Sequence, residues 1–222
     1  MKNEDYFKKI KNDYQSATEY SSELYKNIGA RLNSILAGTV VDIGNGGVIN
    51  YSLDKIEKLI CIDVIFEQKT NLNSKIECIY GDFYNLDFYT NPDCVLIQFL
   101  LHHLCDDLKL KKSLREINKN LRDNGKVVVV EILFPRFVEF FQNLFKGIIF
   151  IIFKLLRKPQ VRFFSRESLT RLLADSGLRC YEMSEIPMGK KVSPAPVLFP
   201  KLRIPGILYP FRCVIVEARC CG

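Results

Sequence analysis

The sequence predicts an α/β domain with a doubly wound, mostly parallel sheet, and three observations carry that prediction. Val40-Val41-Asp42-Ile43 is an apolar, β-branched run that breaks directly into Gly44, Gly46 and Gly47. Such a run hands a buried strand over to a turn whose backbone can approach a ligand, because glycine reaches positive φ without a Cβ penalty. Roughly 20 residues further on, Leu59 to Ile62 form a second apolar run ending in Asp63, a strand-tip carboxylate placed to accept both hydroxyls of a ribose. Short apolar runs then alternate with helical segments, the rhythm of parallel βαβ units that bind ligands at the carboxyl ends of their strands.

The elements follow in order. Tyr6, Phe7, Ile10 and Tyr14 share one helical face, and Leu24, Ile28, Leu32 and Ile35 share another that ends near Gly38, so residues 1–37 read as a helical cap with Tyr6 and Tyr14 near the site. The glycine turn is expected to open a helix whose first N–H groups face the ligand. Lys75 to Tyr80 is a third strand ended by Gly81-Asp82-Phe83, Cys94 to Gln98 a fourth, and Lys126 to Ile132 a fifth. In Phe137 to Leu156, Phe141, Leu144, Phe145, Ile148, Ile152 and Leu155 recur on one helical face, with Gln142, Asn143 and Lys146 mostly opposite. The reading is a lid helix packed on its own domain; a greasy acceptor channel and a surface for peripheral membrane contact are the alternatives. Glu139, Lys146 and Lys154 interrupt the stretch, so it is not expected to span a bilayer. Ser165 is placed to cap a helix with Leu169, Leu172 and Leu173 on its apolar face and Gly177 at its end. Cys180 to Ile186 and Phe211 to Glu217 supply two closing strands around a loop holding Pro194, Pro196, Pro200 and Pro205.

Two nucleotide-binding families share this beginning. A dinucleotide fingerprint places a third glycine at position 49, where this chain has Ile49, which disfavours an NAD-dependent oxidoreductase. Instead an acid, Asp42, stands two positions before the first glycine, and Gly81-Asp82 closes the third strand. This set resembles the class I S-adenosylmethionine-dependent methyltransferases of small-molecule type. The resemblance continues through Pro92 to Leu104 and Leu121 to Glu131; Val48 departs from it, since many members carry glycine there.

The resemblance implies a Rossmann-like, seven-stranded sheet, mostly parallel with an antiparallel last strand, and S-adenosyl-L-methionine as cofactor. It places Asp42, Gly44, Asn45 and Gly46 at the methionine end, Asp63 with Val64 at the ribose, and Asp82 with Phe83 at the adenine. Gln98 and Phe99 complete the cofactor-binding set. One methyltransferase domain over 1–222 is expected, made of the cap 1–37, a cofactor-binding core 38–135, a lid insertion 136–164, and a C-terminal helix with closing strands 165–222.

Methyl transfer is an in-line displacement at a sulfonium, so a protein has mainly to position the acceptor and, for a hydroxyl, remove its proton. The chain has two histidines, His102 and His103, adjacent after the fourth strand. The surrounding segment resembles that of small-molecule O-methyltransferases carrying a general-base histidine, which puts His102 in that role with His103 beside it. Glu131, at the end of the fifth strand, is placed to orient an acceptor or a histidine. O-methylation of a small apolar or aromatic acceptor is the preferred reading. A C-methyltransferase resembling those of quinone biosynthesis and a non-catalytic, cofactor-binding scaffold are the alternatives.

Composition narrows the field. Hydrophobic residues make up 48% of the 222, enough for the core of a single domain. The net charge of +7 is scattered rather than striped, which argues against a nucleic-acid face. The eight cysteines are dispersed without metal-ligand spacing and read as core residues in a reducing compartment; Cys220-Cys221-Gly222 read as a frayed end. Met1 to Tyr20 is polar and charged, so no signal peptide is expected and a cytoplasmic location is.

Overall fold

The computed structural model describes residues 22–46, 48–66, 70–71, 74–86, 90–156, 160–189, 191–192, 204–205 and 211–220. The expected helical face of Tyr6, Phe7, Ile10 and Tyr14 lies outside these residues. So do Gly47, Pro194, Pro196, Pro200, Cys221 and Gly222.

Among the described residues ten strands occur in chain order: β1 (Gly38–Ile43), β2 (Ile56–Asp63), β3 (Thr70–Asn71), β4 (Ile76–Tyr80), β5 (Cys94–Gln98), β6 (Lys126–Leu133), β7 (Leu178–Ile186), β8 (Lys191–Val192), β9 (Ile204–Pro205) and β10 (Arg212–Cys220). All but β8 and β9, which pair with each other, form one sheet in the order β3-β4-β2-β1-β5-β6-β10-β7. The run from β4 to β6 is parallel, and β10 is antiparallel to both β6 and β7. The seven expected strands are therefore present, and the two-residue β3 adds an antiparallel edge to β4.

Strand alternation sends side chains to two cores. Val41, Ile43, Val95, Ile97, Val127 and Val129 pack with leucines and isoleucines from two of the helices, Leu110, Leu114 and Ile117 on one and Leu169, Leu172 and Leu173 on the other. Val40, Leu59, Leu96, Val128 and Val130 pack with Leu24, Ile28, Leu32 and Ile35. Among the described residues the helices are α1 (Ser22–Ile35), α2 (Asp107–Asn120), α3 (Arg136–Leu144), α4 (Lys146–Leu155) and α5 (Arg166–Asp175). One face thus carries α2 and α5, the other α1. Asp106 caps α2 by accepting from the Lys109 N–H, and Ser165 and Ser168 form a reciprocal capping box on α5.

Two expectations fail. The glycine turn does not open a helix: residues 48–55 form turns, and between β4 and β5 the described residues hold only a 3₁₀ turn, Phe83–Asn85. The face where a β1–β2 crossover helix would pack is already occupied by α1, which grips the connection directly. Asn33 Oδ1 accepts from the Ser52 N–H at 2.6 Å and the Tyr25 carbonyl from Asn50 Nδ2 at 3.4 Å. At Gly29 a Cβ would sit 1.9 Å from the Asn50 carbonyl oxygen, so only glycine permits this approach.

The second failure is the inward-packed apolar face expected of residues 137–156. Residues 137–156 form two helices broken at Phe145, and their apolar side chains point outward: Phe141, Leu144, Phe145, Ile148, Ile152 and Leu155 are all exposed. The inward residue is Gln142, 9% exposed. Its Nε2 donates to the Val161 carbonyl and its Oε1 accepts from the Phe163 N–H, both at 2.7 Å, while Glu139 accepts from the Ser165 N–H at 3.1 Å. The lid packs on extended backbone with open N–H and C=O groups, and such a partner selects polar side chains. Among the described residues no helix is long and apolar enough to cross a membrane.

Candidate functional site

The glycine turn leaves β1 with Gly44 at φ +74° and its N–H donating to the Ile62 carbonyl at 2.8 Å. Gly46, at φ +63°, donates to Asp63 Oδ2 at 2.9 Å, and Ile65 donates to Asp63 Oδ1 at 3.0 Å. The strand-tip carboxylate therefore braces the turn. Each of its oxygens accepts one backbone N–H. A Cβ at Gly44 would lie 2.7 Å from Leu100 Cδ2, on a backbone that L side chains rarely adopt. Gly44→Ala is accordingly expected to destabilise the fold by about 1–3 kcal/mol, measurable by denaturant unfolding.

Asp42 is fully buried beneath this turn. Tyr51 Oη donates to its Oδ2 at 2.7 Å, and Asn45 Nδ2 lies 3.4 Å from the same oxygen. Burial pushes the carboxyl up to about 7 against the opposing pull of Tyr51, Asn45 and Gln98, with the Asp63 charge adding to the rise. Its Oδ1 and the Oε1 of buried Gln98 have no hydrogen-bond partner. Gly44, Asn45, Gln98 and Phe99 line a narrow cleft together with Tyr25 and Val48. Phe99 sits at φ +49°, a left-handed conformation rare for an aromatic residue, with its ring edge-on to Tyr25 at 5.8 Å between centroids.

Asp82 caps the 3₁₀ turn, accepting from the Tyr84 N–H at 3.1 Å. Phe83 is 4% exposed and packs in the α2/α5 core; Val64 is half-buried just past β2.

Across the sheet, Glu131 and His102 form a clamp. His102 Nδ1 lies 2.8 Å from Glu131 Oε1, the His102 N–H donates to Oε2 at 3.2 Å, and the Ile132 N–H donates to Oε1 at 2.9 Å. Glu131 is fully buried, whereas the His102 side chain is 23% exposed. The His103 ring lies 3.9 Å from that of His102, and burial followed by its neighbour's charge pushes its pKa well below the usual imidazole range. His103 therefore stays neutral. The alternation of β6 puts Glu131 on the α2/α5 face, while Asp42 and Gln98 share the α1 face. The two sets meet only at the carboxyl edge of the sheet.

A cavity of about 410 Å³ lies between the lid, Cys105 to Asp107 and Gln160 to Arg162, with Phe150 and Phe153 in its wall. The Arg162 N–H donates to the His102 carbonyl at 2.7 Å, tying that wall to the histidine segment.

The fold recurs in solved structures. The mitomycin 7-O-methyltransferase MmcR aligns with a TM-score of 0.59 at 20% identity, over 96% of this chain and 60% of its own. The pyocyanin biosynthetic protein PhzM gives 0.60 at 16%, over 93% and 57%, and DhpI in complex with S-adenosylhomocysteine gives 0.62 at 12%, over 99% and 95%. Residues 41–129 match the family model described as a methyltransferase domain. That segment, from β1 into β6, carries a methyltransferase domain. No curated protein matches this chain in sequence comparison. It spans about 60% of the length of the first two structures named.

The methyltransferase cofactor carries an ammonium, a carboxylate and a ribose diol, and the residues present fit it. Asp42 Oδ1 and Gln98 Oε1 are buried acceptors lacking a donor, which an ammonium supplies. Asp63 stands as a carboxylate at the tip of β2, the chemistry a diol needs, and the glycine turn admits close backbone approach.

The raised Asp42 carboxyl gives this fit a pH signature. Stability from a group whose pKa rises on folding is fully present below its unfolded value and is lost as pH rises through the folded value, here about 7. A bound ammonium offsets that loss. The rise in Tm given by S-adenosylhomocysteine is therefore expected to be larger at about pH 8 than at about pH 6, and Asp42→Asn should remove the difference. Equal shifts at both pH values in the unaltered protein would contradict the pairing.

Sequence reasoning missed Tyr51 and Tyr25. Tyr51 lies in a segment expected to be helical, and its aim at Asp42 follows from the turns that replaced that helix. Tyr25 sits on α1 between core positions Leu24 and Ile28, and its contact with Phe99 has no sequence signal.

Proposed function

We propose that the protein methylates a hydroxyl of a small apolar or aromatic acceptor, with His102 as general base. The Glu131 clamp on His102 carries this reading. A carboxylate accepting from Nδ1–H fixes the imidazole tautomer that leaves Nε2 as a proton acceptor, and it stabilises the imidazolium formed when the proton arrives. His103, neutral and tilted against the His102 ring, adds no competing charge.

S-adenosylmethionine, when bound, supplies an electrophilic methyl group on a sulfonium. Asp42, Gly44, Asn45, Gly46 and Gln98 would hold its methionine end, Asp63 and Val64 its ribose, and Asp82 with the backbone at Phe83 its adenine, the Phe83 side chain being core, while Phe99 and Tyr25 close the cleft. The cavity walled by Phe150 and Phe153 supports an acceptor with apolar surface. A related fold in an enzyme named as an O-methyltransferase agrees with oxygen as the methylated atom.

The test is product analysis by mass spectrometry after incubation with methyl-labelled S-adenosylmethionine and a panel of phenols and hydroquinones. O-methyl ethers are the expected products. Methylation at ring carbon, or no transfer to any hydroxyl by a protein that binds the cofactor, would overturn the reading.

A further inference from the structure

We propose that α3 and α4 form a docking surface for anionic lipid bilayers, lying flat in the headgroup region. Helix α4 buries none of its ten residues, although it reads Lys146-Gly147-Ile148-Ile149-Phe150-Ile151-Ile152-Phe153-Lys154-Leu155. Ile148, Phe150, Ile151, Ile152, Leu155 and Leu156 are all exposed, Leu155 at 77%. Phe137, Phe140, Phe141, Leu144 and Phe145 extend the patch along α3. Exposed apolar side chains gathered along two consecutive helices mark an interaction surface.

The distribution around the helix identifies the occupant. At about 100° per residue, exposed side chains 148, 150, 151 and 152 point in widely separated directions. A second copy of the chain or a protein groove covers one stripe of a helix, whereas an apolar solvent covers it from several sides. A Cβ at Gly147 would meet no atom within 4 Å, so the start of α4 stands clear of the domain.

The charges agree with a negatively charged surface. Arg136, Lys146 and Lys154 are exposed at the helix ends, and Arg157 and Lys158 follow in sequence. Lysines in these places keep their ammonium groups among headgroups while their stems lie along apolar surface. The single acid of the two helices, Glu139, is turned inward to the Ser165 N–H, where it offers the membrane no repulsion. Helix α4 is roughly 15 Å long, about half of the hydrocarbon thickness, so it lies in the interface rather than crossing it.

The test is co-flotation of the full chain with vesicles of phosphatidylcholine alone and of phosphatidylcholine with phosphatidylserine at two to one. Binding to the anionic vesicles is expected to exceed that to the neutral ones by about tenfold or more and to fall as salt is raised. The triple variant Ile148→Asp, Ile151→Asp, Leu155→Asp should lose flotation and keep its heat of S-adenosylhomocysteine binding, since none of the three touches the cleft or the cavity wall. Flotation and cofactor binding are read separately, so loss of one leaves the other standing. A wild-type chain that stays with neither vesicle, or a triple variant that floats like wild type, would overturn the proposal. A wild-type dimer that the triple variant converts to monomer, seen by light scattering, would assign the surface to a second copy instead.

Discussion

Replacing His102 with alanine is expected to lower kcat for methylation of a hydroxyl acceptor by about 10²–10⁴-fold, while affinity for S-adenosylhomocysteine stays within about threefold. On the proposed reading the imidazole takes the acceptor's proton. It is partly exposed, and Glu131 holds it through both its ring and its backbone N–H. Glu131→Gln keeps an oxygen acceptor in place and removes the charge that stabilises the imidazolium, so a smaller loss in kcat with little change in KM is expected. Steady-state kinetics on the two variants, with circular dichroism to confirm folding, checks both. Near-full turnover by His102→Ala would show that the clamp is packing, and the oxygen-acceptor reading would fall with it.

Replacing Asp63 with alanine is expected to weaken S-adenosylhomocysteine binding by about 100-fold or more, since hydrogen bonds to a charged group contribute about 1.5–3 kcal/mol each. The same carboxylate also holds Gly46 and Ile65 in place, so its loss loosens the turn that the ligand rests on. Asp63→Asn separates the two roles, because an amide oxygen can still accept from one backbone N–H while the charge is gone. Calorimetry should rank the affinities wild type, asparagine, alanine. An alanine variant binding within about threefold of wild type would show that the ribose lies elsewhere.

Much of this arrangement is legible in the sequence because its determinants are local. The β-branched runs that become β5 and β6 are buried on both faces, so they read as continuous apolar strands. Asp42, the glycines and Asp63 are legible because strand ends fix where such residues must lie. Glu131 was placed near a histidine for the same reason, six residues into a strand whose neighbour, β5, leads to His102.

What escaped reading was set by neighbours distant in the chain. The missing crossover helix after the glycine turn reflects α1, which already covers that face and contacts Asn50 and Ser52. The lid turned over for a similar cause. An apolar stripe predicts inward packing only when the neighbour is apolar, and here the neighbour is the extended backbone at Val161 and Phe163, which Gln142 satisfies.

The structure of the complex with S-adenosylhomocysteine tests the central claim most directly, that one cofactor cradle on the α1 face serves the His102–Glu131 pair on the other. The account predicts the ligand's ammonium on Asp42 or Gln98, its ribose hydroxyls on Asp63, and its sulfur facing the same space as the His102 imidazole. A ligand whose ribose avoids Asp63, or whose sulfur faces away from His102, would contradict it.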